Sequence, residues 1–109
     1  LRFRDRVTAA GIAVPLVPGI LPVTNFAKVA QFSQQCGTTV PGWMADLFNG
    51  LDHDPETRNL IAGTVAVEQC EALLHEGVDH FHFYTLNRAA LTKAICWRLG
   101  VRPRSERAA

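Results

Sequence analysis

Arg88 stands directly after Asn87, a residue type that caps helices, so its guanidinium falls where a helix N-terminus already presents positive partial charge. A cation at that first helical position costs about 0.3–1 kcal/mol. Local rules broken without visible compensation mark functional positions more often than arbitrary ones. An arginine beside free helix amides can receive an anionic or carbonyl-bearing ligand; a surface salt bridge is the competing reading. Phe32 is the next candidate. On a wheel of about 100° per residue, Phe26, Val29, Ala30 and Ser33 share one side. Phe32 lies off that side, with Lys28 four residues earlier on the same off-core face. An aromatic ring there is a candidate stacking platform, unless it packs beneath the following helix. Lys28 taken alone is a solvated surface lysine. His80 and His82 form an HxH pair able to ligate a metal, which keeps a metal-dependent barrel hydrolase open as a second reading. No third ligand stands near another strand end, and the pair opens its strand rather than closing it, so packed or hydrogen-bonded histidines are the plainer reading. Nucleophile elbow, P-loop, GxGxxG motif and a convincing carboxylate pair are all missing. Trp43, Met44, Tyr84 and Trp97 read as core or inter-helix packing.

The elements that must position these groups follow from caps and periodicity. Residues 1–10 read as the last turns of a helix closed by Gly11. The continuous apolar run 12–17 reads as a strand buried on both faces, with Pro15 awkward inside it. Thr24 or Asn25 caps a helix whose core stripe is Phe26, Val29, Ala30, Ser33 and Gly37. A short helix starts at Pro41, and a longer one starts at Asp54-Pro55-Glu56, runs through Leu60 and Leu74, and stops at Glu76-Gly77. Residues 80–86 form the second strand. Asn87 then caps a last helix with Leu91, Ala94, Ile95 and Leu99 inward, followed by a polar, frayed tail from Arg102.

Strands separated by helices predict parallel pairing. Two strands alone do not make a stable parallel sheet, so the chain is expected to be part of a doubly wound sheet or the last portion of a (βα)8 barrel. A barrel takes roughly 250 residues, and 109 is well under half of that. Ligands in both architectures sit at the C-terminal strand ends, here residues 18–32 and 84–88. The chain opens at Leu1, within a charged helical pattern and without an initiator methionine, and is therefore expected to be a fragment.

Composition narrows the classes further. Hydrophobic residues at 48% and charged residues at 19% predict a folded domain. A formal net charge of +1 gives no field that would recruit nucleic acid or an anionic membrane by charge alone. The longest apolar stretch, 12–23, is broken by prolines and falls short of the ~20 residues of a spanning helix. The opening residues carry no apolar h-region, so no secretory signal is expected, and the cysteines Cys36, Cys70 and Cys96, without a CxxC pattern, favour reduced thiols and a cytoplasmic protein.

Five strings share one register from the first residue to about Pro103: LRFRDR at 1–6, VPGILPVTNF at 17–26, PGWM at 41–44, DPETR at 54–58 and FHFYTLNRA at 81–89. Together they resemble the bacterial methylenetetrahydrofolate reductases. The resemblance implies an α/β fold in which residues 1–103 supply about the last two strands, with their helices, of a (βα)8 TIM barrel, and 104–109 a tail. It implies reduction of 5,10-methylenetetrahydrofolate to 5-methyltetrahydrofolate, with NADH or NADPH as reductant and FAD as cofactor. The family's folate-stacking aromatic falls on Phe32 and its folate-contacting arginine on Arg88, with Leu86 lining the same pocket. A family glutamine that contacts substrate falls on Lys28, where a lysine could instead meet a folate carboxylate. The family's acidic groups and most FAD contacts lie upstream, so no catalytic residue is expected in this chain and the chain alone is expected to be inactive. The implied partners are folate and a nicotinamide dinucleotide, within a homo-oligomer when full length, and with no metal, nucleic acid or membrane. A non-catalytic α/β interaction module remains a third reading. If the folate reading holds, Arg88 and Phe32 look across one cavity rim at the exits of two parallel strands.

Overall fold

The computed structural model describes residues 1–104 of the chain. Its elements, in order, are α1 (Arg2–Ala9), β1 (Gly19–Ile20), α2 (Phe26–Gln35), α3 (Gly42–Phe48), α4 (Pro55–His75), β2 (His82–Phe83) and α5 (Ala89–Arg98). The two strands pair in parallel, Gly19 with His82 and Ile20 with Phe83. The Pro18 carbonyl accepts the His82 amide, and the Ile20 carbonyl accepts the Tyr84 amide, both at 3.0 Å.

Residues 12–17 do not form the strand their apolar run predicts; they are solvent-exposed, and pairing begins only at Gly19. Pro15 and Pro18 have no amide to donate, so Pro18 contributes its carbonyl alone and the ladder cannot extend backwards. The second strand is likewise shorter than the predicted 80–86. Asp79 and His80 bond each other ahead of it, and the chain turns away after Tyr84.

The helix starts are local chemistry. Asn25 accepts the Lys28 amide and Asp54 accepts the Thr57 amide, each at 3.1 Å, and Pro55 opens α4 in the position that needs no donor. Pro41 is itself the cap of α3 rather than its first residue. α2 stops at Gln35, and Gly37, expected on its stripe, lies beyond the end at φ 69°.

Helix α4 is the spine. Ala62, Val65, Ala66, Val67 and Cys70 are buried along it, whereas Leu60 is 68% exposed and Leu74 lies outward as well. The buried stripe is made of small residues because α5 packs closely there: a side-chain carbon added at Gly63 would lie 3.5 Å from the Leu91 side chain. Ile95 is fully buried in that interface; Ala94, expected inward, is exposed. One core cluster joins Ile20, Ala66, Val67, Cys70 and Ile95, with Phe81 and Phe83 packed against it. The other joins Val23, Met44, Phe48 and Ala62, with Phe26 and Val29 against it. Helices therefore cover the sheet face of Ile20, Phe81 and Phe83, while Gly19, His82 and Tyr84 on the opposite face are exposed.

Trp43, expected in packing, is 52% exposed, because its neighbour Met44 takes the buried position on α3. Arg102, expected in the frayed tail, is held: its guanidinium lies 3.8 Å from the Trp97 ring centre and donates to the Trp97 carbonyl at 2.7 Å. Of the predicted tail, residues 105–109 lie outside the described residues. No helix among the described residues is long and apolar enough to cross a membrane.

Candidate functional site

Both strands release the chain on the same side of the sheet, β1 into the segment leading to α2 and β2 into the segment leading to α5. Between these exits lies a cavity of about 560 Å³ lined by Leu21, Lys28, Val29, Phe32, Tyr84 and Leu86. Three sequence-predicted residues, Phe32, Lys28 and Leu86, thus meet around one space.

Phe32 is 60% exposed and does not pack beneath α3. Phe26 makes that contact instead, its ring stacked on Phe48 at 6.0 Å and 11°. The helical period therefore divides α2 into a core face carrying Phe26 and a cavity face carrying Lys28 and Phe32.

Leu86 reaches the cavity through an unusual turn. Leu86 and Asn87 have φ of 47° and 61°, and the Arg88 amide donates to the Thr85 carbonyl at 2.8 Å. Two successive positive φ values are the signature of a type I′ turn. Asn87 is therefore a turn residue and not the predicted cap; Arg88 itself occupies the cap position of α5, without a side-chain cap bond. This turn carries Arg88 past the Phe32 cavity. Arg88 lines the adjoining cleft with Pro22, Thr24, Leu91 and Thr92, and the two spaces share Tyr84 and Leu86 as their common wall. Arg88 and Phe32 thus lie on either side of the Tyr84–Leu86 wall.

Tyr84, read from sequence as packing, is half exposed and borders both spaces. Its position in the strand-exit segment 84–88 was the available signal; its residue type pointed to the core instead. Leu21 and Val29 also belong to the lining.

Electrostatically the site is cationic. The ion pairs among the described residues are Arg4–Asp5 and Asp79–His80, so neither Lys28 nor Arg88 is neutralised by one. The shifted carboxyls lie elsewhere: bonds from Thr57 hold Asp54 below the usual carboxylate range, and the His80 ring does the same for Asp79. Burial pushes the Cys70 thiol up, inside the helical core. A cavity of about 510 Å³ beside Asn25, Phe26 and Asp52 is also lined by Arg58, whose Nη1 donates to the Leu51 and Asp52 carbonyls while its buried Nε has no hydrogen-bond partner. His80 is tied to Asp79 at 2.7 Å and His82 packs edge-on to Tyr84 at 4.8 Å. Among the described residues no three His, Cys, Asp or Glu side chains are gathered as a metal site.

The family model described as methylenetetrahydrofolate reductase matches residues 1–100. The chain belongs to the methylenetetrahydrofolate reductase family. It is 54% identical over 103 residues to the 5,10-methylenetetrahydrofolate reductase of Pectobacterium carotovorum, and 52% identical to that of Escherichia coli K12. Each alignment covers 94% of this chain and 35% of the relative. A more distant relative, methylenetetrahydrofolate reductase 2 of Saccharomyces cerevisiae, is 33% identical over 104 residues, 17% of its length. The chain therefore spans about a third of the bacterial reductases it matches.

Proposed function

We propose that this chain forms the folate-side wall of a flavin-dependent methylenetetrahydrofolate reductase, as roughly the last two βα units of its (βα)8 barrel. The observation that carries the reading is the convergence of Phe32, Lys28 and Leu86 on one apolar cavity at the C-terminal ends of two parallel strands, where barrels bind ligands. The uncovered sheet face supports the barrel: among the described residues the helices pack on the side of Ile20, Phe81 and Phe83, as they do on the outside of a barrel wall.

In this reading the Phe32 ring stacks on the flat pterin or benzoyl part of the folate, and Leu86 and Tyr84 exclude water from its edge. Lys28 takes a folate carboxylate. Arg88, one wall away, donates to a polar group of the same ligand. The chemistry that bound FAD would supply is hydride transfer from the reduced nicotinamide to the folate. The uncovered face at Tyr84 and His82 fits a planar ring system, whereas the groups that hold the dinucleotide phosphates belong to the rest of the barrel. In this reading the partners are a folate and NADH or NADPH, in a cytoplasmic homo-oligomer.

Titration of the full-length protein with 5-methyltetrahydrofolate tests the reading. Arg88→Ala removes a charge-assisted contact and is expected to weaken binding by roughly 1.5–3 kcal/mol. Phe32→Ala is expected to weaken it by about 0.5–1.5 kcal/mol beyond the lost area. Unchanged affinity in both variants would leave only an interaction module.

A further inference from the structure

We propose that Gly19 is a positioning residue of the folate site, acting through Tyr84. Gly19 pairs with His82 across the sheet, so a side chain at position 19 would stand on the same face as His82 and Tyr84. That place is taken. A carbon added at Gly19 would lie 2.5 Å from Tyr84 Cε2 and 3.2 Å from both Cζ and the hydroxyl oxygen. The Tyr84 ring therefore folds back across β1, over the space that only glycine leaves empty, with the His82 ring against it at 4.8 Å and 73°.

The far end of the tyrosine that forms the shared wall between the Phe32 cavity and the Arg88 cleft is thus held over β1 at Gly19. The contact at Gly19 involves the far end of the ring, and Tyr84 is half exposed. A methyl group at position 19 would consequently displace the ring and leave the strand pairing in place, because the Tyr84 side chain has open space to turn into. The displaced ring enters the space that the ligand needs. The inference rests on the folate reading of the cavity, but the packing step does not.

The two are separable in one experiment on the full-length protein labelled with fluorotyrosine, with the Tyr84 signal assigned by its loss in Tyr84→Phe. Gly19→Ala is expected to shift the Tyr84 fluorine resonance and to weaken 5-methyltetrahydrofolate binding about tenfold, the worth of one aromatic contact. In a Tyr84→Leu background the same Gly19→Ala change is expected to add less than twofold, since the ring it displaces is gone. An unmoved Tyr84 resonance overturns the proposal, as does an undiminished effect of Gly19→Ala in the Tyr84→Leu background. A shifted resonance in a protein whose affinity ignores Gly19, Tyr84, Phe32 and Arg88 alike sinks the folate reading and with it the positioning role, leaving the packing alone.

Discussion

Leu86 and Asn87 hold side chains in a backbone region that glycine occupies freely, with φ of 47° and 61°. Asparagine tolerates it; a leucine is forced there, at a cost of order 1–2 kcal/mol. Nothing in the helical core requires this, because Leu86 is 65% exposed. Its side chain is instead presented to the cavity beside Tyr84 and Phe32. Strain retained at an exposed residue that lines a cavity is the pattern of a site in which stability is given up for position. Leu86→Gly should therefore raise stability by up to about 1 kcal/mol, the relief of strain exceeding glycine's entropic cost. The same change should lower folate affinity. Thermal denaturation beside ligand titration checks both signs, and a destabilised variant would mean that the turn is not strained.

Helix α4 carries both core clusters, and its start is a carboxylate cap. Asp54 accepts the Thr57 amide at 3.1 Å and the Thr57 hydroxyl at 2.7 Å, and these bonds lower its pKa. A depressed carboxyl pKa stabilises the fold fully above the unfolded value of 3.8, and the contribution is lost as the pH falls through the lower folded value. The helical signal should thus weaken below pH 4 in wild type with a component that Asp54→Asn lacks, since asparagine caps without titrating. Circular dichroism from pH 6 to pH 2.5 measures it; superimposable acid transitions would remove Asp54 from the account. At the other end of the chain, Trp97 is clasped by Arg102 and approached by Lys93 at 5.7 Å, which fastens the segment after α5 to that helix.

On the scale of the whole molecule, the chain extends 47 × 45 × 23 Å with a radius of gyration of 15.8 Å. A 100-residue globular domain has about 13 Å. The excess is a flat shape, with a two-stranded sheet that, among the described residues, is helix-covered on the face of Ile20, Phe81 and Phe83. Phe3, Ile12, Val14 and Val17 are all at least half exposed near the start of the chain. Apolar surface of this kind is ordinarily covered. The isolated 109 residues should accordingly self-associate and bind a hydrophobic dye, and should neither retain FAD nor oxidise NADH. Gel filtration, dye fluorescence and a flavin spectrum test this together; a yellow, monomeric, active preparation would contradict the fragment reading.

Helix starts and stops were legible because they are short-range: Asn25, Asp54-Pro55 and Gly77 act on amides and carbonyls within a few residues. The separation of Phe26 from Phe32 followed from the helical period alone, and the parallel pairing from the alternation of strands with helices. The runs around the strands misled, because apolar character at 12–17 says nothing about whether prolines leave enough donors for a ladder, or whether a partner strand lies in reach. Arg88 was placed one position too far into its helix, since a type I′ turn at Leu86-Asn87 depends on where β2 ends. Tyr84 stood in the strand-exit segment, but its residue type pointed to the core; its exposure and its place on the cavity wall came only with the packing of its ring over Gly19, on one face of two paired strands. Chain-local hydrogen bonding and periodicity are written in neighbouring residues; a cavity between two strand exits is made by groups some sixty positions apart, and its occupants are chosen by packing.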